Sequence, residues 1–219
     1  MKIDVYYTPL GLTAGDLTGR AVVVIDVLRA TSTIVSALAA GAKAIVPAAS
    51  SDEVVRLTAN LEKNGIVLAG ERRLQKIEGF NLGNSPREMT KETVGGKTVF
   101  LATTNGTPAL VAAQGGDPVL VAAALNFSAV AERAHNLFME RGDIVIICAG
   151  RDKQFALEDA YTAGRLIKAV KRVCRPKSSR STTPPRCRST SPRSKAAGKT
   201  PSARATPPAC WVRWDSETT

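Results

Sequence analysis

Residues 21–32 read AVVVIDVLRATS, and this stretch decides the fold class. Its first five residues are apolar and mostly β-branched, which is typical of a strand covered on both faces. We predict a strand over Ala21–Val27 and a helix directly after it, over Thr31–Ala40. A buried strand, a turn and a helix form the repeating unit of α/β proteins.

The same alternation continues on both sides of this stretch. Further strands are predicted at Ile3–Tyr7, Ala44–Pro47, Ile66–Gly70, Thr98–Thr103, Pro118–Ala122 and Asp143–Cys148. Further helices are predicted at Ser51–Asn64, Thr107–Gln114, Phe127–Arg141 and Leu157–Arg172, with Ser51 and Asn126 near helix starts. The pattern indicates an α/β domain, with a layered αβα arrangement around a largely parallel or mixed sheet. Only Arg72–Val94 breaks the rhythm, and its length predicts a functional loop.

The chain has two compositions. Residues 174–219 carry ten Lys and Arg against two acidic residues, and seven of the twelve prolines. Among Leu, Ile, Val, Met and Phe this segment contains only Val212. So little apolar surface cannot offset the entropy of ordering a chain, so we expect a disordered basic tail. Residues 1–173 form the predicted α/β domain.

Several classes of protein are excluded by composition. The start, Met1–Val5, contains an acidic residue and no long apolar core, so no signal peptide is expected. No segment approaches the roughly 20 apolar residues of a membrane helix, so we expect no membrane partner. The four cysteines form no C-x-x-C pair, which argues against zinc and a disulfide framework. We expect a cytoplasmic protein.

Polar residues follow four of the predicted strands, at the point where each strand ends. These segments are Asp26–Ser32, Glu71–Arg72, Thr104–Thr107 and Cys148–Arg151. In open α/β sheets, ligands bind outside the carboxyl ends of the strands. We therefore expect these four segments to form one site.

The residue types suit an anionic ester. Arg29, Thr31 and Ser32 can offer a cation and backbone N–H donors to a phosphate at a helix start. Asn105–Thr107 forms a second corner of this kind, where glycine allows close backbone approach. Magnesium takes oxygen ligands and keeps several waters, so one or two carboxylates suffice. The candidates are Asp26, Glu71, Glu158 and Asp159.

Each of these residues also has a structural explanation. Asp26 can cap the turn that follows it, and Thr31 and Ser32 can cap a helix. Glu158 and Asp159 suit the positive end of a helix without any metal. Arginines are usually solvated, and a cysteine after a buried strand is usually a core residue. It is the predicted co-location of these residues, and no single one of them, that indicates function.

Four phrases resemble signatures of the 2-phosphosulfolactate phosphatase family. Ile25–Thr33 is similar to the first, and Gly70–Arg72 followed by Gly79–Pro86 to the second. Thr103–Thr107 is similar to the third. The fourth joins Cys148–Gly150 with Glu158, Asp159, Ala163 and Gly164.

The resemblance implies a magnesium-dependent phosphatase of the coenzyme M biosynthesis type, which hydrolyses 2-phosphosulfolactate to sulfolactate and phosphate. The partner would be a small anionic phosphoester, and a homo-oligomer is compatible with the family. Water attack is favoured over attack by Cys148. The expected catalytic residues are Asp26, Arg29 and Glu71; the expected metal ligands are Asp26, Glu71 and Asp159; the expected substrate-binding residues are Arg29, Thr31, Ser32, Arg72, Asn105, Gly106 and Thr107.

The sequence departs from the family pattern in three places. Arg73 and Leu74 stand where small, glycine-like residues are expected, and Asn81 replaces a frequent Asp, so no metal role is assigned to it. The third departure is the tail, which lacks the family's later helices and motifs, so residues 1–173 are expected to be C-terminally incomplete.

A shifted reading frame near Val173 would explain the tail. Read one base earlier, codons for Cys210–Thr218 spell an apolar helix-and-turn phrase, and Thr182–Pro185 become compatible with Asn-Asp-Ala-Ala. An intact homologous frame in the nucleotide sequence would support this hypothesis, and its absence would refute it.

Two alternative functions follow from the same residues. The basic tail, with Trp211 and Trp214, is compatible with salt-sensitive nucleic-acid binding, although its shortage of aliphatic residues favours a translated wrong frame. The body is also compatible with an inactive relative that binds an anionic metabolite without hydrolysing it.

Overall fold

Residues 1–173 are the part of the chain that the computed structural model describes, and they contain eight strands and six α-helices. The tail predicted over 174–219 lies outside them. The strands are β1 (Lys2–Tyr6), β2 (Ala21–Ile25), β3 (Ala44–Ala48), β4 (Ile66–Arg72), β5 (Gln75–Lys76), β6 (Thr98–Ala102), β7 (Val119–Ala122) and β8 (Asp143–Cys148). The helices are α1 (Ala30–Ala39), α2 (Ser51–Thr58), α3 (Lys91–Val94), α4 (Gly106–Ala112), α5 (Phe127–Arg141) and α6 (Leu157–Val173).

The strands are divided between two four-stranded sheets. The first has the order β1-β8-β2-β7 and is entirely parallel. The second has the order β3-β6-β4-β5, in which only the short β5 is antiparallel. The predicted α/β class and largely parallel pairing are confirmed, whereas the division into two sheets was not anticipated from the sequence.

Three hydrophobic clusters show how the layers are stacked. The largest cluster joins one face of each sheet through α1 and α4, which therefore lie between the sheets. A second cluster packs α5 and α6 on the outer face of the first sheet. A third packs α2 on the outer face of the second sheet. The order of layers is helix, sheet, helix, sheet, helix.

The two central helices are built for this position. α1 reads ATSTIVSALA and α4 reads GTPALVA, so both consist largely of small residues. Side chains of α1 from Ala30 to Val35 are all buried. Small side chains allow a helix to be covered on opposite sides without forcing the two sheets far apart. α1 connects β2 to β3 and α4 connects β6 to β7, so each crosses from one sheet to the other.

Most boundaries of the predicted elements lie within two residues of those observed, and the largest difference is in α2. The helix predicted over Ser51–Asn64 ends at Thr58, and a 3-10 turn follows at Lys63–Gly65. Its N-cap is Ser50, whose hydroxyl accepts a hydrogen bond from the Glu53 backbone N–H at 3.2 Å. β4 continues to Arg72 because it pairs with β5 in a hairpin. None of the helices within residues 1–173 is long and apolar enough to cross a membrane.

Candidate functional site

A cavity of about 680 Å³ opens where carboxyl ends of strands from both sheets meet. The first sheet contributes residues after β2 and β8, and the second contributes residues after β4 and β6. α6 contributes its first turn. The lining residues are Asp26, Leu28, Arg29, Glu71, Arg73, Leu74, Asn84, Thr104, Asn105, Gly150, Arg151, Asp152, Ala156, Glu158 and Asp159.

Asp26 lies in the turn between β2 and α1. Thr31 closes this turn: its hydroxyl donates to the Asp26 carbonyl at 2.6 Å, and the Asp26 N–H donates back to it at 3.1 Å. The Ala30 backbone N–H donates to the Asp26 carboxylate. The turn is thus fixed by its own residues, and the carboxylate of Asp26 faces the cavity with only 7% of the residue exposed.

Burial and, after it, the negative charge of Asp159 raise the pKa of Asp26 to about 7; Glu71 and Glu158 act in the same direction, whereas the Ala30 hydrogen bond opposes the shift. The acidic residues of the cavity are therefore close enough to disfavour the ionisation of Asp26. Such a carboxyl gains or loses a proton close to neutral pH.

Asp159 holds together two loops of the first sheet. Its Oδ1 accepts from the Val27 N–H at 2.9 Å, and its Oδ2 accepts from the Gly150 N–H at 3.2 Å. Only 2% of the residue is exposed. Burial raises the pKa of Asp159 to about 6, with a smaller contribution from Glu158, although both hydrogen bonds act in the opposite direction.

Glu71 joins the β4–β5 hairpin to the end of β6. Its Oε1 accepts from the Thr104 N–H at 2.7 Å. Its Oε2 accepts from the Leu74 N–H at 2.8 Å and the Thr104 hydroxyl at 3.0 Å. Thr104 also accepts from the Arg73 N–H at 3.2 Å, so Glu71 and Thr104 together fix the hairpin turn against the second sheet.

Two tight turns form parts of the cavity wall. Arg73 and Leu74 have φ values of 52° and 67°, and Asp152 and Lys153 have φ values of 49° and 64°. Residues other than glycine are disfavoured in this left-handed region, which explains why small, glycine-like residues are expected at 73 and 74. The second turn is tied to the second sheet, because the Asp152 N–H donates to Asn105 Oδ1 at 3.3 Å.

The structure brings together six of the candidate residues named from the sequence, and they come from both sheets and α6. The cavity is lined by Asp26, Arg29, Glu71, Asn105, Glu158 and Asp159.

Five other expected residues are not among the cavity-lining residues. Arg72 is exposed at the end of β4, on the other side of the strand from Glu71. The hydroxyls of Thr31, Ser32 and Thr107 bond to nearby backbone groups. Gly106 is buried against Asp26. Their expected roles in binding substrate stay predictions.

Sequence reasoning assigned no role to several residues that line the cavity. Arg73 and Leu74 depart from the family pattern, and Asn84 lies within the second family signature, where the sequence predicts no role for it. All three belong to the loop 72–94, whose length predicted function. The length of the loop predicts a functional role. Which of its residues line the cavity depends on the register of the β4–β5 hairpin, which the sequence pattern does not determine.

Oxygen donors around the cavity suit a magnesium ion, because Mg²⁺ needs only one or two protein carboxylates. Asp26 and Asp159 are buried, and burial, with a further contribution from neighbouring acidic residues, raises the pKa of both. Within residues 1–173, however, no three His, Cys, Asp or Glu side chains gather closely enough to hold a metal ion. The set of Asp26, Glu71 and Asp159 therefore does not form such a group in this structure.

Cys148 ends β8 as a buried free thiol. Burial raises the pKa of Cys148 to about 12, and the nearby charge of Asp159 adds to this shift. The thiolate is the nucleophilic form of cysteine, and it is scarce at neutral pH under these conditions. A protonated thiol is a poor nucleophile, and attack by water in place of Cys148 stays a prediction.

Comparison with known proteins identifies the group to which this architecture belongs. A family profile described as 2-phosphosulpholactate phosphatase matches residues 6–183. A protein of Caldanaerobacter subterraneus subsp. tengcongensis is 42% identical over 171 residues, which cover 78% of this chain and 70% of the relative. A protein of Thermotoga maritima is 44% identical over 153 residues, which cover 70% of this chain and 63% of the relative.

A protein of Clostridium perfringens is 40% identical over 172 residues, covering 78% of this chain and 68% of the relative. All three relatives are named "Probable 2-phosphosulfolactate phosphatase", a name that denotes a phosphoric monoester hydrolase. This chain thus spans about two thirds of the length of the relatives it matches. It belongs to the 2-phosphosulpholactate phosphatase family.

Proposed function

We propose that the protein hydrolyses 2-phosphosulfolactate to sulfolactate and inorganic phosphate in a magnesium-dependent reaction. One observation carries this proposal: in a chain of this phosphatase family, buried carboxylates and arginines line one cavity at the carboxyl ends of the strands. The relatives' printed names supply the substrate.

The charges of the cavity suit a substrate with several anionic groups. Phosphosulfolactate carries a phosphate, a sulfonate and a carboxylate. Three arginines line the cavity, Arg29, Arg73 and Arg151, and each comes from a different loop. Arginine pairs with phosphate and carboxylate groups through two parallel hydrogen bonds, which positions a ligand as well as attracting it. Three separate arginines can thus orient one small multivalent anion.

The acidic side of the cavity needs a cation before it can accept such a substrate. Asp26 and Asp159 would hold Mg²⁺. When bound, this ion would neutralise phosphate charge and activate or orient a water molecule. Without it, Asp26, with a pKa of about 7, is partly protonated at neutral pH, and Asp159, with a pKa of about 6, takes up its proton in slightly more acidic solution. Cation binding should therefore release protons and strengthen as the pH rises.

The remaining chemistry is positioning. The attacking water must approach phosphorus on the side opposite the ester oxygen, which leaves with the bonding electrons and takes up a proton. The turns at Arg73–Leu74 and Asp152–Lys153 form parts of the cavity wall beside the bound substrate. A reaction in the cytoplasm, as part of coenzyme M biosynthesis or a related sulfonate pathway, belongs to the same proposal.

Phosphate release from 2-phosphosulfolactate tests the proposal directly. We expect release with Mg²⁺, loss of release with EDTA, and formation of one sulfolactate per phosphate. Arg73→Ala should raise KM about tenfold or more by removing a charged contact, whereas Arg72→Ala should raise it much less.

Comparison with a form whose downstream frame is restored separates two explanations of inactivity. Release by the restored form alone would show that the family's later segment is required. If neither form releases phosphate, the proposed substrate is wrong.

A further inference from the structure

The carboxylates of the cavity differ in how many of their acceptor sites are already used. A carboxylate offers about four acceptor sites on its two oxygens. Glu71 accepts three hydrogen bonds, from Leu74 N–H, Thr104 N–H and the Thr104 hydroxyl. Both of its oxygens are thus held by the hairpin turn and by β6, and little acceptor capacity remains for a ligand.

Asp26 and Asp159 keep more of their capacity. Asp159 accepts one hydrogen bond on each oxygen, and Asp26 accepts one from the Ala30 N–H. Both side chains are more deeply enclosed than most carboxylates. Among the three buried carboxylates of the cavity, these are the two that can take a cation without losing the bonds that shape the site.

Asn84 supplies the observation that the proposed function does not use. The residue lines the cavity and is 6% exposed, and its Oδ1 atom has no hydrogen-bond partner among the described residues. Leaving a buried acceptor unpaired costs about 1–3 kcal/mol. Its backbone is fixed, because the Asn84 carbonyl accepts from the Thr33 hydroxyl at 3.3 Å. Asn84 Oδ1 is therefore a buried, unpaired acceptor on a loop whose backbone is anchored beside the cavity.

The surroundings indicate what this oxygen accepts. Asp26, Asp159 and Glu71 line the same cavity, and these groups are acceptors when ionised. Backbone and amide carbonyl oxygens are ordinary ligands of hard divalent cations, alongside carboxylates. No three acidic, Cys or His side chains of the described chain gather to hold a metal, so any protein ligand beyond two carboxylates would be of another type, such as an amide oxygen.

We propose that Asn84 Oδ1, together with the carboxylates of Asp26 and Asp159, forms the protein part of a divalent cation site. Glu71 is a positioning residue, which holds the Arg73–Leu74 turn through its three hydrogen bonds. This inference rests on the proposed function for the identity of the cation, and it replaces Glu71 by Asn84 in the expected ligand set.

Binding of Mn²⁺ to the full chain tests the assignment without any substrate. Free Mn²⁺ is counted by its electron paramagnetic resonance signal during titration. We expect Asn84→Ala to weaken binding at least tenfold, and Asn84→Asp to retain or tighten it by keeping an oxygen at this position. Glu71→Gln should stay within threefold of the wild type. Asn64→Ala, a matched change at an exposed site, should have no effect.

Circular dichroism and thermal unfolding establish that each variant is folded. If Asn84→Ala does not fold, Asn84→Asp distinguishes the two roles. If residue 84 is a cation ligand, adding Mn²⁺ should raise the Tm of Asn84→Asp more than it raises that of the wild type. If residue 84 is only buried, the new carboxylate should lower the Tm, and Mn²⁺ should give no larger rise than in the wild type. Unchanged binding in a folded Asn84→Ala, a tenfold loss in Glu71→Gln, or no binding by the wild type would overturn the assignment. Phosphate release that persists in EDTA would instead refute the magnesium dependence of the proposed function.

Discussion

Gly106 lies so close to Asp26 that a Cβ atom at position 106 would overlap Asp26 Oδ2 and the side chain of Ala30. Gly106 begins α4 after the second sheet, whereas Asp26 follows β2 of the first. The carboxylate therefore lies in a space that exists only because a residue of the other sheet has no side chain.

Gly106→Ala should displace the Asp26 carboxylate and lower kcat/KM for phosphate release by about 100-fold or more, because small displacements of reacting groups have effects of that size. Gly164→Ala is the matched control: Gly164 lies in α6 with open space around its α-carbon, so alanine there should keep activity and raise stability by about 0.5–1 kcal/mol. Full activity in Gly106→Ala would show that the Asp26 position does not matter for the reaction.

Asp26→Asn should stabilise the folded protein at high pH. The pKa of Asp26 is about 7 in the folded state against an ordinary 3.8, so between about pH 4 and 7 the folded state binds more protons than the unfolded state. Stability from this group is therefore lost as the pH rises through that window. Asn cannot ionise, so we expect the free energy of unfolding to rise by about 2 kcal/mol at pH 8, and the gain to shrink towards pH 4.

Urea unfolding at several pH values, without divalent cations, measures this effect. The exposed Asp52 provides a matched control. Relative to the wild type, Asp52→Asn should show no comparable gain in the free energy of unfolding at pH 8. A stability gain in Asp26→Asn that is equal at pH 4 and pH 8 would contradict the assigned cause.

Leu74→Gly should stabilise the protein although it removes a large side chain. Leu74 is 69% exposed and has a φ of 67°, so it contributes little packing and adopts a backbone conformation that costs about 1–2 kcal/mol for an L-residue. After subtraction of the extra unfolded-state entropy of glycine, we expect a net gain of about 0.5–1 kcal/mol in chemical denaturation. Leu61→Gly, at an exposed position without positive φ, should instead destabilise. Equal losses in both variants would argue against strain at this turn.

Cys148→Ala should keep phosphatase activity within a few fold of the wild type. The pKa of Cys148 is raised to about 12 by burial and by Asp159, so its thiol stays protonated and unreactive at neutral pH. In the native wild type, mass mapping after iodoacetamide treatment should find Cys148 unmodified, and unfolding in urea should expose it. A loss of activity above 100-fold in a folded Cys148→Ala, with a covalent phosphoprotein in the wild type, would establish a cysteine nucleophile.

The sequence was informative where a local pattern determines the result. Continuous apolar runs such as Ala21–Ile25 identified buried parallel strands, and the residues after them identified the edge of the sheet that carries the cavity. The choice between Arg72 and Arg73 was beyond such patterns, because it depends on where the β4–β5 hairpin turns and so on pairs such as Arg72↔Gln75.

The two-sheet arrangement could not be read from the same pattern. Parallel strands in one sheet or two have the same apolar runs, and the difference lies in whether a connecting helix is covered on one side or on both. The small residues of α1 and α4 were the available signal for the second possibility. The role of Asn84 could not be predicted from the sequence, because it depends on an unpaired side-chain oxygen that is seen only in the folded structure.

Both central helices begin beside the cavity and run between the two sheets. A methyl group gained or lost at Ile34 or Leu110 would therefore shift one half of the cavity relative to the other, without changing any residue that meets the ligand. In this architecture, substitutions in the protein interior can therefore change the substrate preference. Selection for different phosphoesters would then change aliphatic core positions, while the polar residues of the cavity stay the same.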